Sequence, residues 1–415
     1  MSDRKIGVWL IGAAGGVATT AEVALLALTE GHAPTVGLTT EMEPFASLDL
    51  PDWGELILGG HEIRDVSLAR EAQRLGQPEG PLPASLVDAC RPGLVELESR
   101  IRPGCLLGVG PTIAELAGPD VPTDRSARAA VERLRLDFEQ FIAEHELEHL
   151  VVVNVASTEP PIEVDSLPTT WAAMDRLLDA DSCPLPASTL YAIAALQAGG
   201  STPGSMSNEA SSGRTAVSYI NFTPSPGSQL PALDDLAVQR QARHMGCDGK
   251  TGETLLKSVL APMFARRNLE VMSWVGHNIF GNLDGRVLDD PANKATKVRS
   301  KDHLLMEMLP NRPQTHVSIE YIESLGDWKT AWDHIHFRGI LGVPMTFQFI
   351  WQGCDSVLAA PLVLDLVRLT DLARRRGHVG RMPFLAPFFK SPDGVAEQAF
   401  DRQFAMLETW ARREA

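Results

Sequence analysis

The most regular feature of the chain is a series of short, unbroken apolar runs, each closing on a turn or a polar cluster. Ile6-Gly7-Val8-Trp9-Leu10-Ile11 is the first. Because it is apolar at consecutive positions, it reads as a strand buried on both faces, the pattern of a parallel sheet. Gly12-Ala13-Ala14-Gly15-Gly16 follows, and residues 17–28 then carry a helical pattern. The spacing predicts strand, glycine turn, helix. Residues 35–38 form a second apolar stretch ending at Thr39-Thr40-Glu41, and residues 150–155 a third ending at Ala156-Ser157-Thr158-Glu159. Strands alternating with helices imply a parallel, doubly wound sheet.

Beyond Asn221-Phe222-Thr223-Pro224-Ser225 the texture changes to longer amphipathic segments around a polar, glycine-containing run at residues 246–301. This is the expected second domain. Residues 362–373 read as a helix opened by Pro361 and packed on the sheet. Residues 199–214, rich in Gly, Ser and Pro, read as a flexible surface loop.

The length of 415 residues leaves room for two domains, at about 100–200 residues each. With 44% hydrophobic and 22% charged residues the composition is that of a globular protein, and no run reaches the ~18 apolar residues of a membrane span. The first residues run straight into a strand-like segment without a secretory pattern, so a cytoplasmic location is expected. Five scattered cysteines without a C-x-x-C pair argue against a disulfide framework and a zinc site. A formal charge of −16 disfavours nucleic acid and requires that any anionic substrate meet a local cluster of cations.

Candidate chemistry is thin motif by motif. The Gly12-x-x-Gly15-Gly16 turn suits either the approach of a pyrophosphate or a tight strand-to-helix turn without ligand. Glu41 is placed to meet a ribose hydroxyl or to end a solvated loop. The segment Cys247-Asp248-Gly249-Lys250-Thr251-Gly252-Glu253-Thr254-Leu255-Leu256-Lys257 offers backbone N–H groups and two lysines to a phosphate; the alternative is an ordinary helix start. Lys297 and Lys301, four apart, would share a helix face. Spacing alone makes that run a solvated basic surface. Asp355 and Lys390 are single ionisable residues beside apolar neighbours. His277, His334 and His336 lie in expected secondary structure without metal-ligand spacing.

In combination these residues resemble the myo-inositol-1-phosphate synthase family, its archaeal and bacterial branch in particular. The likeness runs through Gly12-Ala13-Ala14-Gly15-Gly16-Val17-Ala18-Thr19-Thr20, Gly59-Gly60-His61-Glu62-Ile63, Asn154-Val155-Ala156-Ser157-Thr158-Glu159-Pro160 and Asn221-Phe222-Thr223-Pro224-Ser225. It continues through residues 248–257 and 278–285, the Lys297 and Lys301 pair, His336-Phe337, and Phe388-Phe389-Lys390-Ser391-Pro392.

The resemblance implies an α/β fold: a Rossmann-like, doubly wound parallel-sheet domain from residues 1–250 and 355–415, with an inserted α+β catalytic and tetramerisation domain at residues 251–354. It implies cyclisation of D-glucose 6-phosphate to 1D-myo-inositol 3-phosphate, with NAD recycled within each turnover, and a homotetramer. An assisting divalent metal or monovalent cation is compatible with it; no metal ligands are implied. Lys297, Lys301, Lys329 and Lys390 correspond to the family's catalytic lysines, with Asp284 and Asp355 as orienting carboxylates. Asp248, Thr251, Gly252, Asn278 and Phe280 correspond to substrate-binding positions. Gly12, Ala14, Gly15, Gly16, Val17, Glu62, Ala156, Ser157, Thr223 and Asp355 correspond to positions along the cofactor cleft. Cys247 departs from the family's usual Asp. A paralogue closing a different ring, such as a five-membered carbocycle from fructose 6-phosphate, keeps the same lysines, and a non-catalytic NAD-binding protein or a simple dehydrogenase is the reading from another class.

Overall fold

The computed structural model describes residues 4–198, 215–290, 293 and 305–415. Lys297, Lys301 and residues 199–214, expected as a loop, lie outside them. The first apolar run is β1 (Ile6–Ile11), entirely buried, and the glycine turn leads into helix α1 (Gly16–Thr29). Residues 35–38 do not form the expected strand. Val36 is 89% exposed, and Thr39–Glu41 is a 3-10 turn tied to a distant helix, with Asp365 accepting from Thr39 N and Thr40 N and Arg368 reaching Glu41 at 2.6 Å. Glu41 is therefore occupied by Arg368.

The true second strand is β2 (Leu56–Glu62). Its glycines allow close approach: a Cβ on Gly60 would lie 2.5 Å from Leu10 O, and one on Gly59 2.9 Å from the Phe141 ring. β3 (Ile101–Pro103), β4 (His149–Asn154), β5 (Ala216–Asn221) and β6 (Arg243–Gly246) follow, and β11 (Gly380–Arg381) completes a seven-stranded sheet in the order β11-β6-β5-β4-β1-β2-β3. All its ladders are parallel. The chain reverses direction across the sheet between β1 and β4, and crevices at such points, outside the carboxyl ends of the strands, bind ligands in doubly wound folds.

β7 (Glu270–Phe280), β8 (Gln314–Tyr321), β9 (Trp328–Arg338) and β10 (Pro344–Cys354) form a second, mixed sheet in the order β10-β9-β7-β8. The helix Gly252–Arg266 packs on it through Ala261 and Phe264 against Val271, Trp274 and Ile335. The chain then returns to the first sheet as the helix Asp355–Arg375, which begins six residues before Pro361 and contains that proline. Its buried face, from Ala359 to Ala373, packs with α1 over β1 and β4. The fold is thus a Rossmann-like doubly wound sheet with a second sheet set between its last two strands.

Candidate active site

The carboxyl ends of the parallel strands and one end of the second sheet open on a cleft of about 240 Å³. Gly12, at the end of β1, has φ +83°, and a Cβ there would meet Ala156 Cα at 2.9 Å. Only glycine fits that position without displacing the loop after β4. Gly12 N and Ala13 N donate to His61 O at 2.9 and 3.0 Å. Glu62 accepts from Ala14 N at 2.8 Å through one oxygen and from Ile63 N and Arg64 N through the other. The turn is held from below, and α1 follows Gly15, an N-cap with no side chain to bond its first N–H groups. Its first N–H groups and positive dipole face the cleft, a cradle that suits a pyrophosphate.

Across the crevice, Asn154 and Asn221 sit opposite one another in the β4–β5 ladder, and their amides fix the two following loops. Asn154 accepts from Ala156 N at 3.2 Å, and Asn221 donates to Ser225 O at 2.6 Å. Ala156, Ser157 and Thr223 are thereby set along the cleft wall. Glu159, just beyond, is buried and accepts from Ser188 N at 2.8 Å and Ser188 Oγ at 2.5 Å. Burial raises its carboxyl to about 7 despite those bonds.

The ionisable groups come in pairs. Segment 247–250 runs against 388–391: Lys390 N donates to Asp248 O, Lys250 N to Phe388 O, and Cys247 N to Ser391 O. This ribbon brings Lys390 Nζ to 2.7 Å from Asp248 Oδ1. Asp248 itself has φ +62°, a left-handed conformation that aspartate adopts more readily than most residues other than glycine. Lys329, second in β9, places Nζ 3.0 Å from Asp355 Oδ2 and 5.5 Å from the centre of the Phe280 ring. Thr251 Oγ1 donates to the other Asp355 oxygen at 3.4 Å. Asp284 lies on the same cleft, after β7.

Three expected substrate contacts are not on the cleft lining. Phe280 sits behind Lys329 as a ring beneath its ammonium. Gly252, with φ +47°, backs onto Trp351. Asn278 is fully buried on β7, and among the described residues its amide has no hydrogen-bond partner. Lys250 and Lys257, the two lysines of the segment read as able to hold a phosphate, are both buried and off the cleft lining. Lys257 lies between Glu253 and Asp333, and Lys250 donates to Gln403 of the C-terminal helix Phe400–Glu414.

Lys250 carries a pH prediction. Burial, helped by the charge of Lys390, lowers its pKa to about 7. Between about pH 7 and the ordinary lysine value of about 10.4 the folded chain binds fewer protons than the unfolded chain, so stability rises with pH in that window. Lys250→Met is expected to flatten this rise, measured as urea midpoints near pH 7 and near pH 9.5; parallel pH slopes for variant and parent would contradict it.

Sequence reasoning missed Glu71, Arg74 and Asp327, which also line the cleft. Arg74 lies in a short polar helix and Asp327 in a turn, where charged residues are commonplace. Chemically, the arrangement can seat an anion on uncapped N–H groups, stabilise charge on a substrate oxygen with two paired ammonium groups, and move protons through them.

A family model described as myo-inositol-1-phosphate synthase matches residues 252–356. The chain is 31% identical over 411 residues to inositol-3-phosphate synthase 1 of Bacteroides thetaiotaomicron, covering 94% of this chain and 89% of that protein. It is 28% identical to the inositol-3-phosphate synthase of Trypanosoma brucei brucei, covering 90% of this chain and 73% of that one. Among solved structures, inositol-3-phosphate synthase from Caenorhabditis elegans matches with TM-score 0.84 at 24% identity, over 99% of this chain and 86% of that one. A myo-inositol-1-phosphate synthase-related protein from Thermotoga maritima matches with TM-score 0.75 at 22% identity, over 99% of both chains. The two structural likenesses concern the fold.

Proposed function

The chain belongs to the myo-inositol-1-phosphate synthase family, and from that premise we propose that it cyclises D-glucose 6-phosphate to 1D-myo-inositol 3-phosphate with NAD as a recycled cofactor. The observation that carries this reading is the convergence of the Lys329–Asp355 and Lys390–Asp248 pairs on the cleft that begins at the Gly12 cradle. NAD, when bound, supplies a hydride acceptor at C5 of the sugar and the donor that restores it after ring closure. Gly12, Gly15, Gly16, Val17 and Ala14 would hold its pyrophosphate, with Glu62, Ala156, Ser157 and Thr223 lining the channel.

The protein's own groups account for the remaining steps. The uncapped start of the Gly252–Arg266 helix and the Thr251 hydroxyl suit the substrate phosphate. An ammonium at Lys329 or Lys390 would stabilise negative charge on the sugar oxygens as the C6 proton leaves and C6 attacks C1. Their partners Asp355 and Asp248 keep each lysine oriented and can share its proton. Lys297 and Lys301 join this set as proposed catalytic residues, with Asp284 as an orienting carboxylate. In this scheme residues 1–250 and 355–415 bind the cofactor, and residues 251–354 supply most of the catalytic wall.

Incubation with NAD+ and D-glucose 6-phosphate, followed by phosphorus and proton NMR, tests the proposal. An inositol phosphate forming without net NADH is the expected result. A fructose 6-phosphate arm runs beside it, because Cys247, buried directly before Asp248, is where the sequence departs from the pattern it resembles; product from that sugar alone would replace the substrate, and steady NADH accumulation would replace the reaction class.

The outer face also supports the proposed homotetramer. β10 is an edge strand of 11 residues, and with its preceding turn it exposes Ile340 at 90%, Leu341 at 91% and Ile350 at 68%. Long apolar edges of this kind are normally covered by a partner, and we propose another copy of the chain. Ile350→Lys is expected to lower the mass seen by light scattering from that of the parent oligomer; a monomeric parent would refute the assembly. The five cysteines are unpaired, which supports a cytoplasmic setting, and among the described residues no helix is long and apolar enough to cross a membrane.

A further inference from the structure

Two contacts tie the segment around residues 74–79 to the start of β9, one of them on the cleft wall, and neither belongs to the lysine–carboxylate pairs. Helix α2 (Leu68–Leu75) lies beside the first sheet, and Arg74 in its last turn places Nη1 2.6 Å from Asp327 Oδ2. Glu71, one turn earlier, stands 3.5 Å from the Arg74 Nε. Trp328, the next residue after Asp327, donates Nε1 to Glu79 O at 2.8 Å, just beyond the same helix. Asp327 and Trp328 enter β9, so Lys329 is one residue further along. The connection therefore joins the cofactor side of the cleft to the strand that carries a catalytic lysine.

Its location is specific. Glu71, Arg74 and Asp327 all line the cleft, and a Cβ on Gly16, at the start of α1, would lie 3.8 Å from Asp327 Oδ1. The pair thus stands directly over the cradle. The two partners differ in burial: the Asp327 side chain is 6% exposed and that of Arg74 is 45% exposed. An exposed pair alone does little, but a buried carboxylate loses its main compensation when its cation leaves.

The chemistry of the proposed reaction gives this bridge a purpose. A hydride leaves C5 and returns to the same carbon, so between those events the cofactor is reduced and the sugar is a ketone. Loss of NADH at that stage strands an oxidised intermediate that no second NAD+ can reduce. A dehydrogenase, which releases NADH in every turnover, has no such requirement.

Resting on the NAD-dependent reading above, we propose that Arg74 and Asp327, reinforced by Trp328 and Glu79, form a clasp that retains the reduced cofactor through ring closure. They are positioning residues and take no part in proton transfer. The test uses the full-length parent, Arg74→Ala, Arg74→Lys and Trp328→Phe. NADH release is followed by stopped-flow fluorescence against excess NAD+, and free NADH and product are counted during turnover.

Arg74→Ala is expected to speed NADH release roughly three- to tenfold, as loss of a partly buried charge pair allows. It should lower kcat with free NADH accumulating, while KM for the sugar phosphate stays near the parent value. Arg74→Lys should recover most of the retention, and Trp328→Phe should show a smaller defect in the same direction. Parent-like NADH release in Arg74→Ala, with the parent itself binding NAD+ normally, would overturn the clasp alone. A parent that does not bind NAD+ would overturn the functional reading and the clasp with it. Arg74 is half exposed on a surface helix, so the variant is expected to fold, and an unchanged circular dichroism spectrum verifies that release reports the clasp.

Discussion

Lys257→Met is expected to lower the unfolding free energy by about 3–5 kcal/mol, the cost of removing one partner from a fully buried charge cluster. Lys257 Nζ lies 2.5 Å from Glu253 Oε1 and 3.4 Å from Asp333 Oδ1, and none of the three side chains is more than 1% exposed. Trp274 Nε1 donates to the same Asp333 oxygen at 2.6 Å. Burial works against the ammonium, but the two carboxylates outweigh it and raise the Lys257 pKa. β7 leaves space for the cluster at Gly276, where a Cβ would lie 3.0 Å from Glu253 Oε1 and 3.1 Å from Lys257 Nζ.

Methionine keeps the length of the side chain but takes the Lys257 ammonium away from two carboxylates buried together. Both would then favour the protonated form, so the loss should shrink as pH falls toward the carboxylate range. Urea unfolding near pH 8 and near pH 5 measures both statements. A parent-like midpoint at the higher pH would show that the cluster contributes nothing. The triple variant Lys257→Met, Glu253→Gln, Asp333→Asn should regain part of the stability, because the two carboxylates are neutralised together with their cation. The effect reaches the site, since this cluster ties the first turn of the Gly252–Arg266 helix, with Thr251 and Thr254 on the cleft, to β7 and β9.

Lys329→Met should reduce kcat by about 10²–10⁴-fold, the combined range for losing a proton-transfer group and a cation aimed at developing oxyanion charge. The side chain is 11% exposed and bridges Asp355 and the Phe280 ring, so its orientation is set before substrate arrives. The cradle at Gly12 lies on the other side of the cleft, and NAD+ affinity is expected to stay within about threefold of the parent because uniform binding is not what the lysine supplies. Product formation by NMR and NAD+ binding by calorimetry separate the two quantities. Turnover within threefold of the parent would remove Lys329 from the proposed machinery.

Much of the architecture was legible because buried parallel strands are apolar without interruption. β1 and β4 announce themselves in that way, and the glycine turn after β1 follows from the conformation it must adopt. β2 escaped the same reading. Its sequence, Leu-Ile-Leu-Gly-Gly-His-Glu, is interrupted by glycines and two ionisable residues, and those residues make sense only beside the Phe141 ring, the Leu10 carbonyl and Asp137, to which His61 is bonded at 3.1 Å. The apolar stretch at 35–38 imitated a strand, yet Asp365 and Arg368, more than three hundred positions away, hold the segment that follows it as a turn.

The candidate site divides along the same line. By itself the sequence determined the uninterrupted buried strands β1 and β4, the tight glycine turn after β1, and, through its ordered motifs, the family and a set of candidate lysines and carboxylates. It carried no sign that Lys250 and Lys257 face inward, that Lys390 meets Asp248 across 142 positions, or that Arg74 meets Asp327 across 253. Only the tertiary structure decided those matters, for a physical reason. Local pattern records whether a position prefers water or the interior, whereas the role of a charge depends on the opposite charge beside it, and that partner is delivered by the closure of distant segments.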